Sequence, residues 1–262
     1  MSAKNPQNKD FILSKRFDLA QDIFGAIAFV LAIVQGITLF IPAKSFLVTS
    51  GVILVVEYMS SYYKSVFFDK GHRIREVGLI DNSFNEKRIP NYNSEPYYNN
   101  DSISKEEIKL LANIHENSLF TSRIAEKMSF PYYFFSAVAF LFFIIKLFMS
   151  GMDDYSSLLL SFIVSSSLFD RAIKLHSLKK LSEDVYDKIN EICSRYEKHS
   201  VKTGMILPQI IEVLLLYENA VFESKINLSE RIFSRLNSSL SKEWIAIRNS
   251  YLIYESQKEM KK

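Results

Sequence analysis

Four stretches of the chain are apolar over a length that suits a bilayer crossing, which takes roughly 20 residues for about 30 Å of hydrocarbon. They cover residues 22–41, 46–67, 130–149 and 155–175. The first has Gln35 as its only polar interruption after Ile23, and the second contains Glu57 and ends near Lys64. The third is almost wholly Phe, Ile, Leu, Val, Ala and Tyr, whereas the fourth is laced with Ser156, Ser157, Ser161, Ser165, Ser166 and Ser167. Ile41-Pro42-Ala43-Lys44-Ser45 joins the first pair and Ser150-Gly151-Met152-Asp153-Asp154 the second. Connections this short make antiparallel neighbours, so the pattern predicts two helical hairpins. The first run is too long for a cleavable signal peptide and leads through Pro42 into another span.

Between and after the hairpins the pattern turns amphipathic. Asn82 to Ser102 is rich in Asn, Ser, Pro and Tyr and reads as loop. Ser104-Lys105-Glu106-Glu107 has capping-box spacing. The helix it opens carries Ile108, Leu111, Ala112, His115, Leu119 and Ile124 toward the third span. From Asp170 to Lys202 the chain is charged, with Leu175, Leu178, Leu181, Val185, Ile189 and Ile192 at steps of 3 and 4. That stripe predicts a bundle helix continuing the fourth span into the cytoplasm. Thr203-Gly204 breaks it. Ile206 to Tyr217, 12 residues with Glu212 inside, is too short to span and reads as a buried soluble helix. Asn227-Leu228-Ser229-Glu230 restarts a helix, and Trp244 to Tyr254 closes the chain. The expectation is an all-α integral membrane protein: a tail (1–21), hairpin 1 (22–68), a cytoplasmic insert (69–129), hairpin 2 (130–175) and a cytoplasmic helical region (176–262).

Charge fixes the orientation. Lys4, Lys9, Lys15 and Arg16 lie in the tail, nine basic residues lie in 69–129, and sixteen in 170–262. The hairpin tips hold only Lys44 and the nearby Lys146, offset by Asp153 and Asp154. Both termini and the insert are therefore expected on the cytoplasmic side. A net charge of +3 gives no basis for a nucleic-acid partner. The single cysteine, Cys193, can form neither an intramolecular bridge nor a cysteine metal site.

Catalytic signatures are missing. There is no glycine-rich phosphate loop, no G-x-S-x-G elbow and no H-E-x-x-H. His72, His115, His176 and His199 read as isolated residues without a second ligand at helical spacing, and Asp153-Asp154 reads as a solvated loop tip. No enzyme activity, metal or cofactor is expected. The intramembrane polar residues carry more information, because an ionisable group at bilayer depth costs about 2.5–3.5 kcal/mol on insertion scales. Ser50, Glu57, Ser61 and Lys64 follow at steps of 7, 4 and 3 and share one helix face. Ser157, Ser161 and Ser165 step by four and make a second stripe. Such stripes either line water or join helices by hydrogen bonds. One four-helix protomer fills its own core, so a pore requires a homo-oligomer with cyclic symmetry.

The layout resembles the SMODS-associated four-transmembrane effector family of bacteria. The likeness lies in the two hairpins, the insert and the helical tail. In residues it touches Ile74 to Phe84, Glu116-Asn117 before the third span, and the region from Tyr217-Glu218-Asn219 to Trp244. The resemblance implies an inner-membrane, pore-forming effector of an antiviral, abortive-infection system, switched on by a nucleotide second messenger or a sensor protein. It transfers no functional residues. The alternative is a non-conducting membrane scaffold or signalling subunit; a transporter and a membrane enzyme rank below both.

Overall fold

The computed structural model describes residues 6–38, 42–88, 100, 102–103, 105–152, 156, 160, 163, 167–199 and 203–255. Among these the chain is all-helical. Six helices run in order: α1 (Pro6–Thr38), α2 (Ala43–Phe84), α3 (Glu106–Ser150), α4 (Ser167–His199), α5 (Thr203–Ser224) and α6 (Glu230–Ser250). A 3-10 turn, Leu252–Tyr254, follows. Ser156, Leu160 and Ile163 are also helical. By length and composition, three helices are able to cross a membrane: α2, α3 and α5. The first and fourth expected spans fall in part on residues 39–41, 153–155, 157–159, 161–162 and 164–166, outside the described residues. Asp153-Asp154 lies there too.

At 1.5 Å per residue, the 42 residues of α2 and the 45 of α3 reach about 63 and 67 Å, twice the thickness of a hydrocarbon core. Residues 68 and 129 therefore fall inside unbroken helices, and so does residue 175 in α4. α1 packs along α2, and α3 along α4. Gly71 lets the first pair approach closely, since a Cβ there would meet the Phe11 ring at 3.1 Å.

The main core lies in the half of the molecule away from the apolar runs. Leu111, Ile114, Ile189, Ile210, Val213, Tyr217, Trp244 and Tyr254 belong to it. On α4 the buried seam is Leu175, Leu178, Ser182, Val185, Ile189 and Ile192, a strict 3-4 alternation. Leu181, expected in the stripe, is 44% exposed; Ser182 holds its register position because the heptad runs 178, 182, 185.

Three other expectations are corrected. α2 continues through Asn82 and Ser83 to Phe84, where a loop was expected from Asn82. The polar side chains there are buried: Asn113 Nδ2 donates to Asn82 Oδ1 and to Ser83 Oγ, each at 3.2 Å. Long-range amide bonding overrides the local turn preference of these residues. Asn85, in the left-handed region at φ 51°, ends the helix. α3 begins at Glu106 with Lys105 in the N-cap position, one residue after the expected start, and Ser104 is outside the described residues. α5 is 22 residues long, not 12, because the helix runs on through Glu218 to Ser224. That length makes it apolar enough to cross a membrane, yet Ile206, Ile210, Val213 and Tyr217 are buried in the main core.

α6 is held by its caps and two anchors. Ser229 Oγ accepts from the Ile232 amide, Glu230 and Arg248 complement the helix dipole, and Leu240 and Trp244 are its buried residues. Trp244 meets the His115 ring at 5.3 Å, and Tyr254 sits in hydrogen-bond contact with His115 Nδ1 at 3.1 Å. Burial pushes the Cys193 thiol up to about 12, so it is inert beside Tyr254.

Burial also brings the His115 imidazole down to about 3 from the usual 6.5. The unfolded chain then takes up a proton that the fold refuses. Stability is complete above about pH 6.5 and is lost as pH falls toward 3, by about 1.4 kcal/mol per pH unit. Chemical denaturation at pH 7.5 and at pH 5 tests this. The His115 contribution to wild-type stability is expected to drop by about 2 kcal/mol between them. His115→Gln should lack that part of the slope.

Candidate functional site

Large apolar side chains of α2 and α3 change from exposed to buried along these two helices. On α2 and α3, exposed ones run from Leu47 to Tyr63 and from Phe130 to Met149, and none of those between these stretches is exposed among the described residues. Of the most apolar stretch only 22% of α2 and 17% of α3 is buried. What is buried there includes polar groups: Glu57, Ser60 and Ser136, with Glu57 only 5% exposed. Beyond Lys64 the large apolar side chains of α2 and α3 turn inward, Leu79, Leu111 and Ile114 among them, while α5 still exposes Met205, Ile211 and Leu215.

A charged cluster from all four long helices marks the level where the order reverses. Arg171 of α4 bonds Asp18 and, at 2.5 Å, Asp22 of α1. Lys64 of α2 reaches Asp18 at 2.7 Å. Arg171 also donates to the Tyr132 hydroxyl of α3 at 2.7 Å and lies over that ring at 5.2 Å. Two cations and two carboxylates balance, and the Arg171 side chain is 5% exposed. Pairing makes the burial of these charges tolerable, and removing one partner would leave an uncompensated charge. The cluster thus clamps α1, α2, α3 and α4 at one depth.

Of the residues singled out in the sequence, Glu57 and Lys64 are buried and Ser50 and Ser61 are half-buried. All four lie on α2, but Lys64 faces Asp18 rather than Glu57. Ser60, 7% exposed, joins Glu57 and Lys64 on the buried face at a step of three from Glu57. Ser157, Ser161 and Ser165 lie outside the described residues, as does the Gln35 side chain. Asp170, next to Arg171, is exposed and pairs with Lys174 at 2.8 Å. Asp18, Asp22 and Tyr132 had not been singled out as site residues. The signal for them was available: two carboxylates one helical turn apart, at the end of a span, opposite cations ending two others.

A second ionic group ties α2 to α5. Arg75 bonds Glu218 Oε2, His72 Nε2 lies 3.3 Å from the same oxygen, and His72 Nδ1 lies 3.7 Å from Glu76. His72 is therefore not isolated, since Glu76 stands one turn away at i+4. His72, Glu76 and Glu218 each offer a ligand atom within 4.8 Å of the others. The Arg75 guanidinium shares the Glu218 oxygen, however, and a metal cation would compete with it. The geometry is that of an interhelical clasp. Lys225 adds a bond from the end of α5 to Asp69 at 3.0 Å.

The segment from Ile226 to Ser229 connects α5 and α6 to the clamp. Asn227 Nδ2 donates to Ser14 Oγ at 2.8 Å, and Ser14 Oγ donates to the Lys64 carbonyl at 3.0 Å. A cavity of about 280 Å³ lies between this segment and Asp18, Asp22, Tyr132 and Arg171. A larger one, about 860 Å³, is lined by the same segment and by residues of all six helices. No family model, curated protein or solved structure matches the chain, so the geometry and the residue pattern alone carry the functional reading.

Proposed function

We propose that this chain is an effector of the bacterial inner membrane. It crosses the bilayer four times as two hairpins, keeps both termini in the cytoplasm, oligomerises, and permeabilises the membrane when its cytoplasmic half receives a nucleotide signal or a partner protein. The observation that carries the reading is the change on α2 and α3 from exposed to buried apolar side chains at the level of the Asp18–Asp22–Lys64–Arg171 clamp. A surface of exposed Phe, Leu, Ile and Val suits lipid or other copies of the chain, and a buried Glu57 beneath it suits an ion path. In this reading α5 stays cytoplasmic, because its inner face belongs to the main core. The clamp holds the hairpins closed at rest, and rearrangement of the cytoplasmic helices re-aims the buried polar face of α2 toward water. Glu57 favours cations in that path.

A non-conducting scaffold is the second reading. It is favoured by the charge balance of the clamp, which closes the protomer without needing a partner.

Membrane potential and growth, followed after tight induction in bacteria with any candidate activator co-expressed, separate the two. The effector reading expects depolarisation by the wild type that Glu57→Ala and Glu57→Gln reduce or alter at equal membrane levels. Depolarisation indifferent to both variants removes Glu57 from the mechanism. Normal potential with the chain inserted favours the scaffold.

A further inference from the structure

The larger cavity lies wholly in the cytoplasmic half, and its walls have a definite chemistry. Phe11, Phe68, Phe120, Tyr217, Phe233 and Trp244 supply six rings from five helices. Amide side chains stand among them, and two have buried atoms with no hydrogen-bond partner among the described residues: Asn117 Nδ2, a donor, and Asn227 Oδ1, an acceptor. Both residues line the cavity from different elements, and a buried amide atom without a partner is costly, so a bound molecule that draws these side chains toward it would recover that cost. The volume, about 860 Å³, lies in the range of small-molecule sites.

Charge narrows the class. Three cations line the cavity, and each already has a carboxylate: Lys15 bonds Glu230, Arg75 bonds Glu218, and Arg248 acts on Glu116. No surplus positive charge is left for a phosphate chain, and a polyanion would compete with these carboxylates, most steeply at the buried Arg75–Glu218 pair. Rings stack on flat aromatic systems, and amides read the donor and acceptor edges of a heterocycle.

The geometry points to this cavity as the binding site of an uncharged, flat heteroaromatic ligand of about nucleoside size. It rests on the effector reading only for its consequence. Ile226, Asn227, Leu228 and Glu230 form walls of both cavities, and Asn227 begins the hydrogen-bond chain through Ser14 to the Lys64 carbonyl. A ligand that engages Asn227 therefore acts on the segment that reaches the clamp.

The chain contains one tryptophan, and Trp244 lines the cavity, so its fluorescence reports occupancy directly. The full-length protein in detergent is titrated with adenosine, guanosine, cytidine, uridine and riboflavin. The corresponding triphosphates and flavin mononucleotide serve as charged counterparts. The expected result is saturable quenching by at least one uncharged compound, with its phosphorylated form at least about tenfold weaker. Asn117→Leu should weaken that binding by about tenfold, the effect of one lost hydrogen bond, without lowering the melting temperature, because Asn117 Nδ2 has no hydrogen-bond partner among the described residues. Phe233→Ala, at a half-exposed ring, should weaken it as well. Absence of saturable quenching by every uncharged compound overturns the assignment. So does equal or tighter binding of the phosphorylated form, or an Asn117→Leu affinity equal to wild type. The assay reads binding without conductance, so its failure is distinguishable from failure of the pore reading.

Discussion

Arg171→Leu is expected to destabilise the folded chain by about 3–5 kcal/mol, the usual cost of stripping one partner from a buried ion pair. The guanidinium is the hub of the clamp, reaching Asp18, Asp22 and Tyr132 from a side chain that is 5% exposed. Lys64 still neutralises Asp18 in the variant, but Asp22 loses the only cation bonded to it among the described residues. Adding Asp22→Leu should restore much of the loss, since a pair replaced on both sides leaves no uncompensated charge. Thermal unfolding of the two single variants and the double variant in detergent measures this coupling, and strict additivity would contradict the clamp. Under the proposed pore reading, Arg171→Leu should also raise basal leak.

Trp244→Ala is expected to cost about 3–5 kcal/mol, as large aromatic truncations in cores do. Only two residues of α6, Leu240 and Trp244, are buried, so the indole supplies much of what fastens this helix. Its ring meets His115 and Tyr254, and its Nε1 donates to Asn100 Oδ1 at 3.3 Å. Asn100 Nδ2 in turn bonds Asn113 and Glu116, each at 2.9 Å, so the truncation also loosens the segment that follows α2. Melting by circular dichroism should fall steeply. Limited proteolysis should open first near residues 225–230, where α6 is joined to the rest. A variant that melts like the wild type would show that α6 is fastened elsewhere.

The sequence carried the helices and the faces they bury, and the reasons are local. Steps of 3 and 4 placed Ile108, Leu111, His115 and Ile124 on one side of α3 and Leu175, Val185 and Ile189 on one side of α4, and all are buried. Leu181 was misplaced because a run of leucines satisfies two neighbouring registers, and only packing chooses between them. Asn82 and Ser83 look like turn residues when read alone; their helix depends on Asn113, 31 and 30 residues away. The clamp was the least legible part. Orientation is read from Lys and Arg, and the acidic residues of the tail contribute little to it, so Asp18 passed as an unremarkable tail residue. Its partner lies 153 positions along the chain, a distance no periodicity bridges. The unpartnered Asn117 Nδ2 and Asn227 Oδ1 likewise have no sequence signature, because a missing partner is visible only once the fold has brought the elements together.

Ion flux across vesicles containing the purified chain tests the account most directly. The protein is reconstituted at known copy number into liposomes loaded with a potassium-sensitive dye. The account predicts flux that rises with the square or a higher power of protein density, increases in Arg171→Leu, and falls or changes selectivity in Glu57→Gln. Vesicles that stay tight with wild type and Arg171→Leu alike, with the chain shown to be inserted, would contradict a pore and leave a scaffold.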